Sequence, residues 1–171
     1  MTLTQEPTKT WLGRAVRRGI RSRLDPLAMA CLFLADRAAH ATSMTDRPAK
    51  EVVITDRYRD STSVYQAAAL VGRLKDPLVF FSQLQDQWFP APDVAILFDV
   101  PVRVGLARIR GRKVKEPFEK VRFLEKVREN YLRLAAEGRL EVLDADRPIG
   151  QVANDAVEII RRRMGPRPRR K

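Results

Sequence analysis

Apolar residues follow two rhythms along this chain. Short aliphatic runs fenced by charge alternate with longer stretches whose apolar positions recur every three or four residues. Residues 52–55, VVIT, lie between Lys50-Glu51 and Asp56-Arg57 and read as a short strand covered on both faces. Residues 94–98 repeat the pattern and stop at Asp99, and RLEVLDAD supplies a third strand ending at Asp144-Ala145. An extended piece also opens the chain, up to Pro7. Between these strands lie helices. Leu12, Val16 and Ile20 are spaced by four and give the first helix a narrow apolar stripe and a basic face. Asp25-Pro26 and Asp76-Pro77 place an N-cap residue before a first-turn proline at the start of two more. The second of these puts Leu78, Phe81, Leu84 and Trp88 on a face expected to be core or subunit contact. Residues 118–137 carry Phe118, Val121, Leu124, Tyr131, Leu134 and Ala135 at helical spacing and stop at Gly138, and 149–164 form a closing amphipathic helix. Strands alternating with helices predict an α/β fold, a parallel sheet flanked by helices.

At 171 residues with 44% hydrophobic content, the chain can bury one sizeable core, so one domain is expected over residues 1–160. Its net charge of +12 invites a nucleic-acid reading, but seven of the bases fall in the last eleven residues, RRRMGPRPRRK. Residues 161–171 are therefore expected to be a basic, disordered tail, and nucleic acid is expected to engage the chain only through it. The single cysteine, Cys31, excludes an internal disulfide framework and is expected to be a small core residue. The longest apolar run, 27–35, is too short for a bilayer, and no targeting pattern opens the chain, so a cytoplasmic protein is expected.

The most informative stretch is VVITDRYRDSTSVYQ, where a strand runs into a charged, hydroxyl-rich helix start. Ligands of open α/β sheets bind beyond the carboxyl ends of the strands, where the next helix offers free N–H groups to an anion. Asp56 stands where a carboxylate can reach a metal through water, and the Arg57 fork suits two phosphate oxygens. Asp60, Ser61 and Thr62 are N-cap candidates, and Tyr65 shares a helix face with Ser61. Arg59, in a spacer position, is expected to face solvent.

The string also resembles DRYxxSSxAYQ of the thymidylate kinases, and other segments fit that family in order. QEPT resembles the REPGGT loop, with Glu6 and Pro7 matching, Gln5 in place of arginine, and Thr8 and Lys9 in place of the glycines. LFLADRAAH resembles LLFAADRAQH, and the strand before Asp99 resembles PDLTLxLDVxP. The resemblance implies a P-loop nucleoside-monophosphate-kinase-like fold and ATP-dependent phosphorylation of dTMP to dTDP with Mg²⁺. It implies that Phe33 stacks on thymine while Arg37 bonds its O4, four residues apart on one helix face. It further implies that Thr62 helps read the base, Tyr65 presses on the deoxyribose, Arg17 and Arg57 hold the acceptor phosphate, and Asp56 acts through the metal shell. Glu6, Ser61 and Gln66 complete the expected acceptor set. Arg108, Arg110 and Arg112 fall in the family's lid and are expected at the donor phosphates, with Arg57, Arg108 and Arg112 stabilising transferring charge. Ala145 is expected beside the adenine of ATP, His40 is assigned a structural or helix-end role rather than acid-base catalysis, and a homodimer is expected through the apolar helix from Leu27.

One part of the pattern is missing. A donor-phosphate cradle of this kind is GxxxxGK[ST], and none of the eight glycines sits in such a string. The resemblance begins at the REP-like loop, so the first βα unit, with its P-loop, is expected to be absent. Either Met1 lies inside a longer reading frame, or the chain is a degenerate relative. The alternative function is that of a catalytically inactive thymidylate-kinase-like protein, or of a basic nucleic-acid- or partner-binding module on the same scaffold.

Overall fold

The computed structural model describes residues 1–48, 51–109 and 121–165. Parallel strands alternate with helices: β1 (Thr2–Gln5), α1 (Trp11–Arg21), α2 (Pro26–Thr45), β2 (Val53–Asp56), α3 (Arg59–Ala69), α4 (Pro77–Trp88), β3 (Ile96–Asp99), α5 (Val102–Ile109), α6 (Val121–Ala136), β4 (Glu141–Asp144) and α7 (Ile149–Met164). β1 pairs with β2, Gln5 opposite Asp56, and β3 pairs with β4, Asp99 opposite Asp144. Among the described residues these are two separate two-stranded sheets. β2, β3 and β4 each end in an aspartate, so in each sheet a carboxylate stands where the loop to the following element begins.

Local sequence sets most helix ends. The Asp25 side chain accepts from Leu27 N at 2.8 Å, Asp76 accepts from Val79 N at 3.2 Å, and each stands before a first-turn proline. Thr10 caps α1 in the same way. α3 departs from expectation: Tyr58 is its cap position and makes no side-chain cap bond, so Asp60, Ser61 and Thr62 lie inside the helix. It stops at Ala69, and Gly72 turns the chain beyond it at φ +81°.

The main core lies where α3, α4 and α6 meet, with Val64, Ala67, Leu78, Val127 and Leu134 buried together and Tyr65, Phe123 and Tyr131 packed against them. A second cluster joins α2 to α4 through Ala30, Leu70 and Phe81. Asn130, buried on α6, donates to Val64 O at 3.0 Å and ties two core helices.

Several expectations fail on coverage. Ile54 is 46% exposed, Leu3 opposite it is 70% exposed, and Phe98 is 52% exposed, so the strands are not covered on both faces. Trp88 is exposed although its helical position matches buried Leu78 and Phe81, because α4 reaches its end there. Cys31 is exposed on the outer face of α2 rather than in the core. Residues 161–164, placed by the sequence both in the closing helix and in the tail, belong to α7, while 166–171 lie outside the described residues.

Candidate functional site

The loops after β1 and β2 build one polar centre. Glu6 follows β1, and its backbone N donates to Asp56 O at 3.0 Å, extending the strand pairing by one step. Its carboxylate then turns inward to a buried guanidinium. Arg37 Nε donates to Glu6 Oε1 at 3.2 Å, Arg37 Nη2 closes the bidentate pair on Oε2, and Arg37 Nη1 donates to Gln85 Oε1 at 2.9 Å. His40 sits one turn below on α2 with both ring nitrogens engaged, Nδ1 with Glu6 at 2.9 Å and Nε2 with Thr4 Oγ1 at 2.8 Å. The structural role expected for this histidine is the one its geometry supports. Burial pushes the Glu6 carboxyl up, but hydrogen bonds from His40 and Arg37 outweigh that and hold it below the usual range.

The same loop is pinned from two more sides. Asp36, 1% exposed, accepts from Thr8 N at 2.8 Å and Thr8 Oγ1 at 2.5 Å. Arg17 donates to Pro7 O at 3.0 Å and Thr8 O at 2.6 Å. The threonine that replaces a family glycine thus supplies a hydroxyl that a buried aspartate takes up. α1 approaches so closely that a Cβ on Gly13 would lie 1.9 Å from Thr8 O, so no other residue fits there.

Arg57 occupies the turn between β2 and α3 with φ +68°, a left-handed conformation rare outside glycine, asparagine and aspartate. Thr55 Oγ1 donates to Arg57 O at 2.8 Å and braces the turn. The turn swings the exposed guanidinium over the Tyr65 ring, 4.9 Å from its centroid. Tyr65 is itself fixed against Phe123, centroids 6.2 Å apart. Asp56, exposed beside it, ends the strand as expected.

The remaining expected residues divide into three groups. Phe33 is half-buried on the α2 side that carries Arg37. Thr62 and Gln66 are buried at 3% each, and Ser61 Oγ is 2.6 Å from the Tyr131 hydroxyl, so this face of α3 is turned to the core and to α6. Burial pushes Tyr131 up to about 12, against the hydrogen bond with Ser61. On the other sheet, Arg108 donates to Ala145 O at 2.8 Å and to Asp146 Oδ1 at 3.0 Å, which brings two of the expected donor-site residues together. Arg110 and Arg112 lie outside the described residues.

Arg59 contradicts its assignment to solvent. Only 11% of its side chain is exposed; it donates to Phe89 O at 3.2 Å and pairs with Asp86 at 3.1 Å. A position left variable in a motif says nothing about which element packs above it, and here α4 does. Sequence reasoning also missed Asp36, Tyr58 and Gln85. Tyr58 places its ring 5.2 Å from Arg37 Cζ, and burial raises its hydroxyl above the usual range. Gln85 carried a readable signal, a polar residue at the apolar spacing set by Leu78 and Phe81. Clefts of about 240 Å³ beside Ser82 and Leu134, and about 390 Å³ beside Arg103 and Arg128, are lined by neither Arg37 nor Arg57.

Parallel strands flanked by helices, with charged residues in the loops at their carboxyl ends, define an open α/β fold of the kind that binds ligands beyond its strand ends. A solved thymidylate kinase from Candida albicans superposes with TM-score 0.74 over 95% of this chain and 80% of its own, at 21% identity. The thymidylate kinase family model matches residues 1–156. Probable thymidylate kinases from Methanoculleus marisnigri and Methanospirillum hungatei are 43% and 42% identical, over 88% and 99% of this chain and 75% and 84% of their own lengths. The chain belongs to the thymidylate kinase family.

Proposed function

We propose that this chain holds dTMP as phosphoryl acceptor for ATP-dependent conversion to dTDP in the cytoplasm. The observation that carries the reading is the convergence, at the ends of β1 and β2, of one exposed arginine over an aromatic ring and one buried arginine held by Glu6. Arg57 takes the phosphate, since its fork can meet two oxygens. Tyr65 beneath it limits the sugar, while Phe33 and Arg37 take the face and the O4 edge of thymine. Glu6 and Asp36 act on this site by fixing the loop rather than by touching nucleotide, because their carboxylates are spent on protein partners, whereas Arg17 gives two of its five N–H groups to Pro7 O and Thr8 O and keeps donors for the acceptor phosphate beside Arg57. Thr62 and Gln66, facing the core, shape α3 behind it. The ATP side lies at Arg108 and Ala145, with Arg110 and Arg112 nearby in sequence.

Mg²⁺ prefers to keep several waters and to take one or two carboxylates together with substrate phosphates. Asp56, exposed at the end of β2, fits such an outer contact, and among the described residues no cluster of three or more ligating side chains offers a tighter cage. The ion would supply neutralisation of charge on the phosphates. The protein's own contribution is positioning and electrostatics, without a covalent step. A second copy packs on the outer face of α2, where Leu27 and Cys31 are exposed. No described helix is long and apolar enough to cross a membrane.

Titration calorimetry with dTMP and thymidine tests the acceptor reading. A bidentate phosphate contact predicts dTMP binding roughly ten- to a hundredfold tighter, and equal affinities overturn it.

A second reading, a polyanion-binding surface on the same scaffold, is favoured by α1. Arg14, Arg18 and Arg21 are exposed there beside Trp11, 68% exposed, and no ion pair with a carboxylate engages them among the described residues. It predicts oligonucleotide binding that weakens steeply with salt and ignores changes at Phe33.

A further inference from the structure

A guanidinium can donate five hydrogen bonds and accept none. Three of the five N–H groups of Arg37 are committed, two to Glu6 and one to Gln85 Oε1. One N–H remains on each terminal nitrogen, and their direction is fixed by whatever fixes the guanidinium plane. Glu6 alone grips one edge, through Nε and Nη2, and leaves the plane free to rock about that edge. Gln85 grips the opposite nitrogen, from a different helix.

The orientation of Gln85 follows from the same chemistry. Since Arg37 cannot accept, the carboxamide oxygen must face it, and the amide nitrogen is driven to the other side. There Nε2 is buried and has no hydrogen-bond partner, although Gln85 is 0% exposed. A glutamine kept for packing or for general polar satisfaction would have both ends bonded or would be replaceable by an apolar residue of similar size. Here only the end that serves Arg37 is satisfied, and the fold carries the cost of the other end.

We infer that Gln85 is a positioning residue for base selection: it locks the Arg37 plane so that the remaining N–H groups present donors alone to the pyrimidine C4 position. This rests on the reading of Arg37 as the base-edge contact. Donors favour a C4 carbonyl, as in thymine and uracil, and reject the C4 amino group of cytosine, which would leave donors facing donors. Tyr58, stacked on Arg37, limits tilt out of the plane but cannot set rotation within it.

The test measures dTMP and dCMP affinities by calorimetry for the wild type, Gln85→Met and Gln85→Glu, with circular dichroism and melting for each. The wild type is expected to prefer dTMP by about a hundredfold or more. Gln85→Met keeps the volume and removes the acceptor, so dTMP should weaken about tenfold with dCMP nearly unchanged. Gln85→Glu restores an acceptor for Arg37 and should restore the preference. If Gln85→Met does not fold, Gln85→Asn, too short to reach Arg37, should show the same loss of selectivity. A wild type that binds dTMP and dCMP equally removes the base-edge reading and this inference with it. A selective wild type whose selectivity survives Gln85→Met, or whose variant loses both nucleotides in equal proportion, overturns the inference alone.

Discussion

Replacing Glu6 tests the centre of the site through stability. The carboxylate and the guanidinium it grips have side-chain exposures of 4% and 1%, so neither can recover hydration if the other is removed. Removing one partner of a buried pair costs about 3 to 5 kcal/mol because the surviving charge stays desolvated. Glu6→Gln preserves shape and one acceptor for Arg37, placing it at the low end, about 3 kcal/mol; Glu6→Leu belongs at the high end, about 5 kcal/mol. For a chain of this length each kcal/mol moves Tm by roughly 2 to 4 °C, so the glutamine variant should melt roughly 6 to 12 °C lower at pH 7. Differential scanning calorimetry and urea unfolding read this directly. A pH series adds a sign. The folded carboxyl titrates below its ordinary value of 4.5, so its contribution is full above that value and is lost as pH falls through the lower folded value. The wild type should therefore lose its advantage over Glu6→Gln below about pH 4.5. A shift of under about 2 °C at pH 7, or a gap that persists unchanged into acid, would refute the assignment of Arg37 as a buried cation dependent on Glu6.

Arg57→Ala should weaken dTMP binding roughly ten- to a hundredfold with little change in Tm, whereas Arg59→Ala should chiefly lower Tm, since its partners are Phe89 O and Asp86; calorimetry and melting that assign the effects the other way round would reverse the roles. Tyr131→Phe removes the bond to Ser61 and should cost about 1 kcal/mol in urea unfolding. In the wild type, the raised hydroxyl value means stability should decline as pH rises from about 10, its ordinary value, through about 12, and the phenylalanine variant should lack that component. These 171 residues contain no GxxxxGK[ST] string, so by themselves they should turn over dTMP far below about 1 s⁻¹ in a coupled assay, and ordinary turnover would reveal a donor site made of other residues.

The sequence by itself determined what depends on neighbours within a turn or two. The two Asp-Pro starts, the span of α7 and the placement of Asp56 at a strand end all rest on caps, ring geometry and periodicity, which are local. So did the family, because its strings are contiguous. Tertiary structure alone decided which polar side chains engage one another. Glu6 and Arg37 are 31 positions apart, and Arg37 and Gln85 are 48 apart, so no periodicity joins them. Coverage was equally invisible. Cys31, Ile54, Trp88 and Arg59 each had a burial implied by its own residue type or its spacing within its own element, and each was reversed by what does or does not pack against that element. Burial is a property of two surfaces, and the one-dimensional pattern records only one of them.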